Sequence, residues 1–157
     1  IKVYRLEADK CYKNNCFLAS AILYGSVLEA LLLVKCAKYK DKVEETDTYK
    51  DLKNKMQKKR KMHFNSVLLK ANLVDLIKMS IELNWFNEKE NHIKELLEFE
   101  AHLTRETRNF VHPGYWLRHD KSLQEFMKVL NSKTYKKSFQ VFSIISKRLI
   151  NIISKNL

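Results

Sequence analysis

Glycine and proline are almost missing from this chain of 157 residues, which holds two glycines, Gly25 and Gly114, and one proline, Pro113. Sheets and barrels need turn residues between their strands, so a chain this poor in them is expected to be all-helical. Cysteine is scarce too. Cys11, Cys16 and Cys36 are odd in number and form no Cys-x-x-Cys pair, which suggests a reducing cytoplasmic setting and argues against zinc. There is no glycine-rich loop to cradle a triphosphate and no serine or cysteine in a nucleophile motif. His63, His92, His102 and His119 are scattered without the paired spacing of a metal site. No cofactor or metal is therefore expected.

What is present fits one helical domain over residues 1–157. An apolar content of 45% at this length is enough to bury a core without staples. The chain opens on Ile1 rather than methionine, and so reads as trimmed or partial. Phe17 to Val34 is an apolar run long enough to raise a transmembrane reading. It carries Glu29 centrally, with Ser20, Gly25 and Ser26, and an acid in mid-membrane costs roughly 2.5–3.5 kcal/mol. A bundle helix is the expected home, with no membrane partner.

The formal charge is +12 and the pI about 9.6, which makes a polyanion a reasonable partner. Lys50, Lys53, Lys55, Lys58, Lys59, Arg60 and Lys61 form one basic stretch, of which Lys58, Lys59, Arg60 and Lys61 are the densest part and candidate RNA contacts. From Phe126 onward there are seven lysines and arginines and no acid, whereas Glu88 to Glu100 is acidic. The plainer account is a set of solvated helix faces in a lysine-rich chain.

Periodicity divides the chain into four or five helices. Asp9 or Asn15 opens a long first helix with Phe17, Ala21, Gly25, Leu28 and Leu32 on its apolar face. Its middle is apolar almost all round, so it should be central, with Gly25 allowing close approach. Asp41 to Met62 is charged and weakly patterned, and should be a polar helix or a loop. Ser66 or Asn72 caps a third element with Leu73, Leu76, Ile77, Ser80 and Leu83 on one face, followed by the aromatic pair Trp85-Phe86. A fourth helix spans about Glu88 to Val111. Beyond it Ser122 caps a short helix, and Thr134 to Lys155 forms a long last one with Phe142, Ile145, Leu149 and Ile152 inward. Short connections between such helices give an up-and-down bundle.

The chemistry is expected in Arg105-Glu-Thr-Arg-Asn-Phe-Val-His112-Pro-Gly114. At about 100° per residue, seven steps bring His112 within roughly 20° of Arg105, with Arg108 and Asn109 on the flanks and Glu98 on the same side. Pro113 then stops the helix and Gly114 permits the reversal. Arginine offers a planar fork matched to phosphate oxygens, and histidine titrates near neutral pH. Metal-free RNA cleavage needs those functions, plus a second proton-transfer group. One face offers one histidine, so a twofold partner would supply the other. The same face could instead be a salt-bridged packing surface, with His112 favoured as a cation at a helix C-terminus. Glu29, in its apolar surroundings, needs a partner. Arg105 or Arg108 would serve, unless Glu29 lies on a solvated strip of its helix.

This segment resembles the signature of the HEPN family, in which an arginine and a histidine are spaced along one helix, often with asparagine directly after the arginine. Arg105 and His112, with six residues between them, fit that spacing. Arg108-Asn109 reproduces the dipeptide but leaves three residues before His112, one short of the usual pattern, so which arginine fills the role stays open. Gly25-Ser-Val-Leu-Glu-Ala-Leu-Leu32 and Asn72-Leu-Val-Asp-Leu-Ile77 are also similar to bacterial HEPN-like proteins. The resemblance spans roughly Cys16 to Gly114. It implies a bundle of four or five helices that dimerises with the two motifs meeting. It also implies either a metal-independent endoribonuclease of toxin–antitoxin or other defence systems, or a non-catalytic module that binds RNA or protein. Arg105, Arg108, Asn109 and His112 would then be catalytic, and an antitoxin or a nucleotidyltransferase would be a partner. In one toxin subgroup a tyrosine two residues past the histidine is modified by the nucleotidyltransferase, and here Tyr115 stands three past.

Overall fold

The computed structural model describes residues 1–56, 63–85 and 133–155, and every element among them is a helix. In chain order these are α1 (Lys2–Lys13), α2 (Phe17–Lys38), α3 (Lys40–Glu45), α4 (Asp47–Met56), α5 (Phe64–Leu68), α6 (Leu73–Glu82) and α7 (Lys133–Lys155). The all-helical expectation holds. The described part is cut into more and shorter helices than the periodicity predicts.

The shortage of glycine leaves a visible trace at the helix ends. A helix commonly closes with one residue in the left-handed region, where glycine is the easiest choice. Here asparagine does it twice, Asn15 at φ 58° after α1 and Asn84 at φ 50° after α6. After α1 the Cys16 N–H donates to the Cys11 carbonyl at 2.8 Å and the Asn15 N–H to the Tyr12 carbonyl at 3.1 Å. After α6 the Trp85 N–H reaches the Ser80 carbonyl at 3.0 Å and the Asn84 N–H the Ile81 carbonyl at 2.9 Å. Short polar side chains tolerate this conformation best after glycine. Asn15 therefore closes one helix instead of opening the next, and Asp9 lies within α1. The reading of either as a start signal is corrected.

Other start signals divide in the same way. Asn72 caps α6 as expected: its side chain accepts from the Asp75 N–H, and the Asp75 carboxylate accepts from the Asn72 N–H, each at 3.0 Å. This reciprocal box satisfies two backbone donors that a helix start otherwise strands. Ser66, the other candidate, lies inside α5. Asp41 to Met56 is helical, as α3 and α4, and the rest of that stretch lies outside the described residues. So do Phe86, the helix expected from Glu88 to Val111 and the one capped by Ser122.

Two compact units divide the chain, and the helix α2 runs from one into the other. Among the described residues the first unit holds 1–27 and 133–149, and the second 28–56, 63–85 and 150–155. In the first, Ala21, Phe139 and Phe142 form a buried cluster with Phe17 and Leu18 packed on it. The Ser20 hydroxyl, fully buried, donates to the Ala8 carbonyl at 3.1 Å and so fixes α1 against α2. Asp9 accepts from the Tyr24 hydroxyl and from the Lys147 ammonium, each at 2.5 Å. One carboxylate thus joins α1, α2 and α7.

In the second unit α4 packs against α3, α5 and α6. Glu82, at the end of α6, caps the start of α4: its carboxylate accepts from the Asp47 N–H at 2.7 Å, the Thr48 N–H at 3.2 Å and the Thr48 hydroxyl. Tyr49 stacks on Phe64 at 5.4 Å between ring centres. It is buried, and its hydroxyl finds no hydrogen-bond partner among the described residues.

By length and composition α2 could cross a membrane, the one such helix among the described residues. Its burial is one-sided. Ser20, Ala21, Tyr24, Val27, Leu28, Leu31, Leu32, Lys35 and Cys36 are buried at three- and four-residue spacing, whereas Ile22 and Val34 are exposed. That is the stripe of a helix packed on one side, narrower than expected of a central helix with a middle apolar almost all round. In α7 Phe142 and Leu149 are buried as expected, joined by Phe139, Ile150 and Ile153, while Ile145 and Ile152 are half-buried.

Candidate nucleic-acid interface

The residues expected to carry the chemistry, Arg105, Arg108, Asn109 and His112, lie outside the described residues, as do Glu98, Tyr115 and the basic run Lys58, Lys59, Arg60 and Lys61. Glu29 is described. It sits half-buried on α2, neither sealed in the core nor fully solvated, while both arginines expected to pair with it belong to the undescribed part. His63 is exposed and precedes α5 without a capping bond from its side chain.

A different group of cations is placed in full, at the junction of α2 and α3. Lys35, Lys38, Lys40 and Lys42 stand around three aromatic rings. The Lys35 ammonium lies 4.8 Å from the centre of the Trp85 ring. Those of Lys38 and Lys42 lie 5.7 and 5.9 Å from the centre of the Tyr39 ring, and Lys40 is 5.8 Å from Phe64. Tyr39 and Trp85 are themselves neighbours, with ring centres 5.8 Å apart and planes tilted by 54°. Both are half-buried, unlike Tyr49 and Phe64, which are buried.

The backbone holds these rings in place. Tyr39 separates α2 from α3, its N–H donating to the Lys35 carbonyl and its carbonyl accepting from the Val43 N–H, each at 3.1 Å. Trp85 is the residue fixed by the asparagine closure of α6. Such anchoring lowers the entropy that ordering the rings around a ligand would cost.

Cations outnumber acids at this corner, four lysines against Asp41, Glu44 and Glu45. Lys35 is buried at 4% exposure, and burial, helped by the charge of Lys38, holds its ammonium below the ordinary lysine pKa against an opposing influence of Cys36. No ion pair joins Lys35, Lys40 or Lys42 to a carboxylate among the described residues. Acids of the same unit are engaged elsewhere: Asp75 in its capping box, Glu82 on the start of α4, and Asp47 with Lys50 at 3.8 Å. Asp41 and Glu45 fall on the side of α3 away from the buried Val43. Cys36, directly after Lys35, has its thiol pushed up to about 12 by burial, and so is held as an unreactive thiol.

In sequence this cluster precedes the basic stretch from Lys50 to Lys61. Its signal is the alternation Lys35-x-x-Lys38-Tyr39-Lys40-x-Lys42, short and interrupted by Asp41, and Trp85 reaches it only through the fold. Among the described residues no group of three histidine, cysteine, aspartate or glutamate side chains is gathered to hold a metal ion. Compared with protein-family models, curated proteins and solved structures, the chain matches none.

Proposed function

We propose that this chain is an RNA-associated helical domain of the HEPN kind, an up-and-down bundle that works as a cytoplasmic homodimer and cleaves RNA without a metal. The observation that carries the reading is the spacing of Arg105, Arg108, Asn109 and His112 before Pro113-Gly114. The +12 charge, the helical architecture and the lysine-ringed aromatics of α2 and α3 support it. One-sided burial of α2, with Lys35 and Glu29 in the same helix, favours a soluble bundle over a membrane span.

In this reading the ribose 2′-oxygen attacks the adjacent phosphorus as His112 of one copy accepts its proton. The bond to the 5′-oxygen breaks, and His112 of the second copy protonates the departing oxygen. The products are a 2′,3′-cyclic phosphate and a 5′-hydroxyl end. Arg105 and Arg108 stabilise the charge on the crowded phosphate, and Asn109 orients it. Place in a defence or toxin–antitoxin system, with an antitoxin or a nucleotidyltransferase as partner, follows the resemblance alone.

The test is cleavage of a mixed-sequence RNA by pure protein in excess chelator, comparing wild type with His112→Ala and Arg105→Ala. Cutting that leaves cyclic phosphates and disappears in both variants is the expected result. Intact RNA would favour a non-catalytic interaction module. One observation speaks for that second reading: α1 exposes Val3, Tyr4 and Leu6, at 71%, 57% and 53%, more apolar surface on one short helix than solvation alone would favour.

A further inference from the structure

The geometry points to Tyr39 and Trp85, with Lys35 and Lys42 beside them, as a platform on which a short unpaired stretch of polynucleotide stacks its bases. Taking RNA as that polynucleotide rests on the function proposed above; the platform itself rests on the cluster's own features.

The rings come first. Aromatics that serve only the core are sealed, as Tyr49 is at 1% exposure, whereas Tyr39 and Trp85 remain half-open and adjacent. Every base has a flat face, so two such rings accept unpaired nucleotides with little regard to sequence. In a duplex those faces are already stacked on one another and out of reach.

The cations come second. At an exposed ring a cation–π contact contributes only about 0.5–1 kcal/mol, so a phosphate oxygen, which forms a charge-assisted hydrogen bond, displaces it. Lys42 is exposed and Lys35 has its stem fixed beneath Trp85. Neither is paired with a carboxylate among the described residues. A bound strand would lay bases on the rings while the exposed Lys42 ammonium moves from its ring face to a phosphate and the buried Lys35 stays under Trp85. An acidic peptide would satisfy the cations and leave the rings without a role, which is why a polynucleotide is the better fit.

The experiment uses the full chain carrying His112→Ala, so that bound RNA stays whole. A labelled oligouridine and a hairpin of equal length are titrated by fluorescence anisotropy over a range of salt. The oligouridine is expected to bind more tightly than the hairpin. Trp85→Leu and Tyr39→Leu should each weaken it by about tenfold, in line with the loss of one stacked base. Lys42→Gln, at an exposed position that folding does not need, should lower the slope of log affinity against log salt by about 0.7, the share of one phosphate contact on a single strand.

Equal binding of the hairpin, an unchanged salt slope in Lys42→Gln, or displacement by oligoglutamate as effective as by oligouridine would each overturn the platform. Cleavage by the wild-type chain is measured alongside. Ring-dependent binding without any cleavage would sink the nuclease reading and leave the platform standing. Cleavage that survives Trp85→Leu together with unchanged binding would do the reverse.

Discussion

Lys147 and Lys35, one in each unit, do opposite work. In the first, Lys147 meets Asp9 at 2.5 Å, and the same carboxylate takes the Tyr24 hydroxyl, so charge and hydroxyl are both satisfied where three helices join. In the second, Lys35 is buried with its ammonium facing a ring and joins no ion pair among the described residues, and the buried Tyr49 hydroxyl lacks a hydrogen-bond partner among those residues. A protein keeps unpaired polar groups at a cost to stability. The Asp9 junction returns that cost through its bonds, whereas Tyr49 and Lys35 are held by packing and ring contacts instead.

The largest effect should come from breaking the complete pair. Partial burial raises the Asp9 pKa, but the hydrogen bonds from Lys147 and Tyr24, with the charges of Lys147 and Arg5, outweigh it and hold the carboxyl below its ordinary 3.8. Asp9→Ala strands a buried hydroxyl and an ammonium, and should cost about 1–2 kcal/mol at pH 7, the lysine being half exposed. The pH dependence has a definite sign. With its folded pKa depressed, Asp9 contributes in full above the unfolded value, and the contribution fades as pH falls through the folded value. Urea unfolding of wild type and Asp9→Ala at pH 7 and below pH 4 should show the gap narrowing in acid. A gap that stays constant would mean the ionised carboxylate is not what stabilises the junction.

Asp9 and Trp85 show how far the sequence alone is legible. The helical class is readable because a dearth of glycine and proline is a global property. Asn72-x-x-Asp75 is readable because a capping box is local, complete within four residues. Asn15 is ambiguous for a physical reason: asparagine suits a helix start and a left-handed helix end equally well, and only the bond from Cys16 back to Cys11 decides between them. The joining of Asp9 to Lys147, or of Trp85 to Lys35, depends on tertiary packing that no spacing encodes. The Arg105 to His112 face is the converse case, a local pattern legible in sequence whose placement lies outside the described residues.

A smaller effect, of opposite sign, should come from closing an open group. Tyr49 keeps its ring stacked on Phe64, and burial raises the pKa of its hydroxyl, as does the charge of Glu44. Tyr49→Phe keeps the stack and removes the stranded donor, so thermal and urea unfolding should show a gain of about 1 kcal/mol. A loss of that size would mean the hydroxyl has a partner, and the second unit would then resemble the first more closely than the comparison holds.

The smallest effect, and the sharpest contrast, belongs to Lys35. Lys35→Met keeps an unbranched stem under Trp85 and removes the charge, losing a cation–π contact but relieving a buried ammonium. The two should cancel to within about 0.5 kcal/mol at pH 7, where Asp9→Ala is costly. Because burial lowers the Lys35 pKa, the unfolded chain binds more protons than the folded one between that lowered value and the ordinary 10.5. Stability from this group therefore rises with pH across that window, and the methionine variant should lack the rise. Urea unfolding of the pair of proteins at pH 7 and pH 10 reads both effects. If Lys35→Met cost more than about 1 kcal/mol at neutral pH, the ammonium would be stabilised in place like Lys147, and the contrast between the two lysines would close.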